Sequence, residues 1–233
     1  MTPGTALWQP QTGWWYPLTA GLLLTDRPPA TDPPAGVRVL ALDQGRAFPL
    51  GHPTTRLCLD LLVQALTAAP VRHLVEIGCG SGVLCIAAAA LGVPLVLGLD
   101  IAPPAVQATL ANARRYGLDE AIQVIQGSST CLAGSFDLVV ANLPSEVQHE
   151  QVEYLSRLAA GGRLLLSGFR ESDEELLLAQ YRQRGWHLTG RAIKFFSHPE
   201  LPAHLNFNWV AWLLAARKPV PKSMGPELTG TGG

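Results

Sequence analysis

Three groups of residues in this chain have types and spacings that could do chemistry. The first is Glu76-Ile77-Gly78-Cys79-Gly80-Ser81-Gly82. Glycines at alternate positions let a backbone turn sharply and approach a ligand with no Cβ in the way. The second is Asp100, a carboxylate directly after the apolar run from Leu95 to Leu99. A carboxylate there can accept hydrogen bonds from both hydroxyls of a ribose. The third is Asn142-Leu143-Pro144-Ser145, after the apolar run Leu138-Val139-Val140-Ala141. An asparagine side chain offers two donors and an acceptor for hydrogen bonds to a polar ligand. Each group also has a plainer reading. These are a tight turn, a cap on the helix that opens at Pro103, and a loop in which Asn142 bonds its own backbone.

What positions these residues is an alternation of short apolar runs and helical stretches. The pattern predicts strands over 73–77, 95–99, 122–125, 136–141 and 163–167. It predicts helices over 56–69, 83–91, 103–116, 147–160 and 172–184. Prolines open the third helix and Gly117 ends it, and Ser172 with Glu175 reads as a capping box. Strands near 186–196 and 207–215 follow without a helix between them, so they should pair antiparallel at one edge. Strand–helix alternation implies a Rossmann-like α/β fold, a doubly wound and mostly parallel sheet with helices on both faces. In such sheets ligands bind beyond the carboxyl ends of the strands, where all three groups fall. The chain divides into an irregular segment over 1–50 with one short strand near 37–42, a domain over 51–217, and a Pro/Gly-rich tail over 218–233 expected to be disordered.

The glycine spacing narrows the ligand. Dinucleotide-binding turns read G-x-G-x-x-G, whereas this one reads G-x-G-x-G behind Glu76. A carboxylate does little for a pyrophosphate but suits a ligand bearing an ammonium and a sulfonium, which points to S-adenosylmethionine over NAD. Composition sets further bounds. With 48% hydrophobic and 15% charged residues the chain is globular, and a net charge of -1 without a Lys/Arg block gives no general nucleic-acid affinity. The longest uncharged stretch, Val83 to Leu99, is broken by Gly92 and Pro94 and is short of the roughly 20 apolar residues of a membrane span, so no membrane association is expected. Cys58, Cys79, Cys85 and Cys131 lack zinc or redox spacing. Reduced thiols and no leader imply a cytoplasmic protein, and no metal site is expected.

Val75 to Gly82 resembles the first motif of class I S-adenosylmethionine-dependent methyltransferases, and Leu97-Gly98-Leu99-Asp100-Ile101 resembles their second-strand motif. Gly51-His52-Pro53-Thr54-Thr55 is similar to the G-x-H-x-T-T segment of the PrmA-like methyltransferases, which modify a ribosomal protein. Gln107-Ala108, Asn112-Ala113, Ala141-Asn142-Leu143 and Leu166-Ser167-Gly168-Phe169 resemble that family too. The resemblance implies that His52, Thr54 and Thr55 lie over the methionine part of the cofactor. Glu76, Gly78, Cys79, Gly80 and Gly82 would line its backbone side, and Asp100 with Ile101 would hold the ribose. Ser128 or Ser129 stands where many relatives place an acid near the adenine. The family's N-terminal substrate-gripping domain is not expected in this sequence, where about fifty residues of different character precede the G-x-H-x-T-T segment.

Candidates for the acceptor side follow. Asn142 and Glu146 are the expected catalytic residues, with His149 a further proton acceptor. Leu143 and Pro144 would touch the substrate. Trp14, Trp15 and Tyr16 would form a lid over the site, or else pack the segment onto the domain. His198, in the loop over 197–206 with His204, would be a second wall. The expected activity is methyl transfer to the nitrogen of an amine on a small molecule, peptide or protein of unknown identity. The alternatives are a non-catalytic cofactor-binding module and a nicotinamide-dependent oxidoreductase.

Overall fold

A computed structural model describes residues 13–45, 47–197 and 206–216. A seven-stranded sheet forms the centre. Its strands are β4 (His73–Ile77), β5 (Leu95–Asp100), β6 (Ile122–Gln126), β7 (Leu138–Asn142), β8 (Arg163–Arg170), β9 (Trp186–Phe196) and β10 (Phe207–Ala216). Their order is β6-β5-β4-β7-β8-β10-β9. The first five are parallel, and β10 runs antiparallel to both β8 and β9. The predicted edge pair is therefore present. The chain winds outward in opposite directions from β4 and β7, which opens a crevice at their carboxyl ends.

Strands covered on both faces must be apolar throughout. Leu74 enters one core and Val75 the other, and the four residues Leu138 to Ala141 are fully buried. Helices α1 (Pro53–Ala68), α2 (Val83–Ala90) and α3 (Pro103–Arg115) cover one face. Helices α4 (Ser145–Leu158) and α5 (Glu174–Gln183) cover the other. Gly117 at φ 65 closes α3, as its position predicts.

Three local expectations are corrected. The N-terminal segment is not irregular: β1 (Trp15–Thr19) and β2 (Leu22–Thr25) form a hairpin, and β3 (Arg38–Ala41) adds in parallel. Tyr16, Leu18, Leu22, Leu24 and Leu40 join the same core as α1, so this small sheet packs on the main domain. Helix α1 begins at Pro53, because the His52 imidazole caps it by accepting the Thr54 N–H at 3.3 Å. Helix α5 begins at Glu174 after a 3-10 turn over Glu171–Asp173. The expected Ser172–Glu175 box is absent: Asp173 is the N-cap of α5 without a side-chain bond into the helix, and its carboxylate reaches back to accept the Arg170 N–H at 3.0 Å, which closes the 3-10 turn. The tail over 218–233 lies outside the described residues.

Candidate active site

A cavity of about 690 Å³ opens at the carboxyl ends of the parallel strands, a size typical of small-ligand sites. Asp100, the last residue of β5, stands on one side. Its Oδ2 accepts the Gly80 N–H at 2.9 Å and its Oδ1 accepts the Ala102 N–H at 2.9 Å. The carboxylate is thus a clamp on the glycine turn and a partner of the Ala102 N–H; the plainer reading of a cap on α3 does not hold, because Ala102 is the N-cap of that helix and no side chain caps it. Asp100 also lines the cavity, and each carboxylate oxygen can accept more than one hydrogen bond.

The glycine turn is held from three directions. Gly78 and Cys79 donate their N–H groups to the Leu99 carbonyl at 2.7 and 3.0 Å. Thr109 on α3 donates its hydroxyl to the Gly80 carbonyl at 3.0 Å. Gly78 and Gly80 have φ of 77 and 56, a region L side chains rarely enter, and a Cβ on Gly78 would strike the Leu143 side chain. Gly82 lies outside the cavity lining; it is the N-cap of α2, also at positive φ.

Glu76 is buried behind this turn. Its Oε2 accepts the Cys85 N–H and the Cys85 thiol, both at 2.9 Å. Burial, with the Asp100 charge adding, pushes its carboxyl up to about 8. It lines a small pocket of about 50 Å³ together with Thr55, Cys79 and Asn142. Gly78, Gly80, Phe48 and Asn142 line both spaces, so Glu76 lies behind the main cavity. Burial likewise pushes the Cys79 thiol up to about 12 and keeps it un-ionised, so it is no nucleophile.

His52 and Thr54 line the cavity while Thr55 lines only the small pocket, and burial lowers the His52 pKa, favouring a neutral ring. Ile101, Ser128 and Ser129 line the end beyond Asp100. Ser128 pairs with the Thr130 hydroxyl at 2.6 Å, and Ser129 donates to the Gln151 side chain. Asn142, Leu143 and Pro144 form the opposite wall. The approach of β8 to this wall depends on Gly168, at φ 98, where an added Cβ would collide with the Leu143 carbonyl. Gly168→Ala should therefore cost about 2–3 kcal/mol of stability, read as a lowered urea midpoint with an unchanged slope.

Several expected residues lie elsewhere. Glu146 is exposed and outside the lining; α4 begins at Ser145 and turns Val147 and Gln151, four residues apart, toward the cavity. His149 is outside the lining, and its Nδ1 lies 3.2 Å from the Gln180 side-chain Oε1 on α5. Trp14, Trp15 and Tyr16 pack the segment rather than cover the site. The Trp14 side chain lies against Gly51, the Trp15 carbonyl accepts from Arg56 at 2.9 Å, and the Tyr16 hydroxyl donates to Asp60 at 2.6 Å. His198 and His204 lie outside the described residues.

The sequence reading missed Ala47, Phe48, Ala105, Val147, Gln151 and Trp209 as lining residues. Phe48, His52 and Trp209 form one aromatic wall, with ring centroids 4.6 and 5.0 Å apart. Beyond Trp209 the Arg170 guanidinium stacks on Phe207 at 4.1 Å. No Lys or Arg is among the described residues that line the cavity. No cluster of His, Cys, Asp or Glu among the described residues could hold a metal ion, and none of the described helices is long and apolar enough to cross a membrane.

The sheet order, the antiparallel edge pair and the site at the ends of β4, β5 and β7 define a class I methyltransferase fold. A solved ribosomal protein L11 methylase from Lactobacillus delbrueckii subsp. bulgaricus superposes with a TM-score of 0.68 over 88% of this chain and 99% of that one, at 24% identity. A Geobacter sulfurreducens S-adenosylmethionine-dependent methyltransferase in complex with S-adenosylhomocysteine gives 0.58 over 74% and 94%, at 15% identity. More narrowly, residues 8–194 match the family described as ribosomal protein L11 methyltransferase (PrmA), and the chain belongs to that family. The ribosomal protein L11 methyltransferase of Syntrophotalea carbinolica is 43% identical over 159 residues, covering 67% of this chain and 51% of the relative. That of Dechloromonas aromatica is 41% identical over 155 residues, covering 66% and 50%. The chain spans about half the length of these relatives.

The residues present fit S-adenosylmethionine. Asp100 lines the cavity with a carboxylate that can accept further hydrogen bonds from a ribose diol, and the glycine turn leaves room for close approach.

Proposed function

We propose that this chain is an S-adenosylmethionine-dependent methyltransferase that acts on the nitrogen of an amine. The observation that carries this reading is the convergence of Asp100, the glycine turn and Asn142 on one cavity. Asp100 and Ile101 hold the ribose end, and Ser128 and Ser129 border the adenine. His52, Thr54 and Thr55 enclose the methionine part, with Glu76 behind the glycine turn to meet its ammonium. When bound, the cofactor supplies a methyl group on a sulfonium that is already an activated leaving group.

The protein's remaining task is to deliver a nucleophile in line at about 3–3.5 Å. Asn142 accepts a hydrogen bond from the acceptor nitrogen and orients it. Leu143, Pro144, Val147, Phe48 and Trp209 supply an apolar surround. That surround favours the neutral amine over the ammonium, because desolvation penalises the charged form. The proton is shed before the amine enters, which removes the need for Glu146 as a base. The acceptor is a protein amine: the matching relatives bear the name of ribosomal protein L11, which makes that protein the first candidate. The buried free thiols Cys58, Cys79 and Cys85 fit a cytoplasmic setting.

The test is transfer of a labelled methyl group into purified ribosomal protein L11 and into cell extract. Asn142→Ala should lower the transfer rate at least tenfold while S-adenosylhomocysteine affinity changes less than threefold. Transfer that survives Asn142→Ala would remove Asn142 from the chemistry. No transfer to any fraction would remove the activity.

A further inference from the structure

Helix α3 touches both walls of the cavity through one buried side chain. Thr109 grips the glycine turn at the Gly80 carbonyl, and one turn later Asn112 grips it at Ser81. The Asn112 Nδ2 group donates to the Ser81 carbonyl at 2.9 Å and to the Asp43 carbonyl at 2.8 Å. Its Oδ1 accepts the Asp43 N–H at 3.0 Å. The side chain is fully buried, and every partner is backbone. Only a primary amide offers two donors and an acceptor in this geometry.

Asp43 heads the loop that leads from β3 to α1. That loop is stiffened by its own bonds. Gly45 N–H donates to the Asp43 carboxylate at 2.9 Å, and Leu50 N–H donates to the Gln44 side chain at 3.2 Å. It carries Ala47 and Phe48 into the cavity wall and ends at His52, which lines the cavity too. The small sheet docks lower on the same helix, where the Tyr116 hydroxyl donates to the Ala41 carbonyl at 2.7 Å. Asn112 is therefore the side chain that bonds the glycine turn and the Phe48 loop at once.

We propose that Asn112 is a positioning residue that ties the N-terminal segment to the glycine turn, so that segment docking and cofactor binding strengthen each other. The proposal rests on the cofactor reading above. The two walls can close on a ligand together only if their spacing is fixed, and Asn112 fixes it. Coupling of this kind is reciprocal. A bound ligand should protect the loop, and a loosened loop should weaken the ligand.

The experiment combines hydrogen exchange with a double-mutant cycle, using S-adenosylhomocysteine as the probe. In the ligand-free protein, Asn112→Ala should speed amide exchange over residues 43–50 at least tenfold and leave β4 and β7 unchanged. A general loss of stability would instead raise exchange in all three. Asn112→Ala should weaken S-adenosylhomocysteine roughly tenfold, and Phe48→Ala severalfold. The double variant should be no weaker than Asn112→Ala alone, because both act through the same wall. Should Asn112→Ala fold poorly, Asn112→Ser leaves a neutral hydroxyl that can satisfy one backbone partner but not bridge the two, and should give the same pattern. Unchanged exchange over 43–50, or losses that add in the double variant, would overturn the proposal. If the wild-type protein binds no S-adenosylhomocysteine, the cofactor reading fails and the exchange data alone decide whether the tie exists.

Discussion

Asp100→Ala is expected to weaken S-adenosylhomocysteine binding by about 100-fold or more while the protein stays folded. The reasoning starts from what the carboxylate already does. Both of its oxygens are engaged by backbone N–H groups, Gly80 on one side and Ala102 on the other. These bonds fix its orientation, so a ribose diol meets a preorganised acceptor. A hydrogen bond to a charged group contributes about 1.5–3 kcal/mol, and a diol makes two. Losing both in a partly buried site gives about 3 kcal/mol or more, and each 1.4 kcal/mol is tenfold in affinity. Losing the bond to the Ala102 N–H costs about 1 kcal/mol of stability besides, too little to unfold the domain. Calorimetric titration of both proteins with S-adenosylhomocysteine and NAD reads this directly. A variant that keeps its affinity within threefold would mean that the ribose lies elsewhere. Tighter binding of NAD by the wild-type protein would replace the cofactor assignment altogether.

How much of this was legible in the sequence depends on how local the physics is. Asp100 and Gly78 to Gly82 were legible because their chemistry is written in the backbone: a sharp turn after one strand and an acid after the next. The parallel strands were legible because residues such as Val139 and Val140 are buried on both faces. The β1–β2 hairpin was not, since Pro17 interrupts a strand of only five residues. Trp209 was not legible either. An aromatic on a strand reads as core, and only the antiparallel pairing of β10 with β8 brings it to the cavity. Glu146 shows how a boundary error becomes a functional error. With α4 starting at Ser145, the cavity face is set by Val147 and Gln151, and Glu146 lies about 100° round the helix from Val147. Proximity in sequence to Asn142 therefore did not mean proximity in the site.

The second large effect concerns the carboxyl that the site hides. Glu76→Gln is expected to stabilise the ligand-free protein at pH 8 and to remove the pH dependence of cofactor binding. In the folded protein burial pushes the Glu76 carboxyl from 4.5 up to about 8. Because the folded state holds this proton more tightly than the unfolded chain, its contribution to stability is full below about pH 4.5 and is lost as pH rises through about 8. At about 1.4 kcal/mol per pH unit, the loss approaches 5 kcal/mol across that window. Glutamine carries no proton to lose. Urea unfolding of the variant should vary much less between pH 5.5 and 8 than that of the wild type. Ligand binding then tests what the carboxyl is for. An ammonium placed beside Glu76 favours its charged form, so binding at neutral pH should expel a proton. Affinity for S-adenosylhomocysteine should rise toward pH 8, by up to tenfold per unit, and the binding enthalpy should depend on the buffer's ionisation enthalpy. Both signatures should vanish in Glu76→Gln, together with at least tenfold in affinity at pH 8. An equal pH slope in the two proteins would show that Glu76 never meets the ligand's ammonium, leaving it as the partner of Cys85 alone.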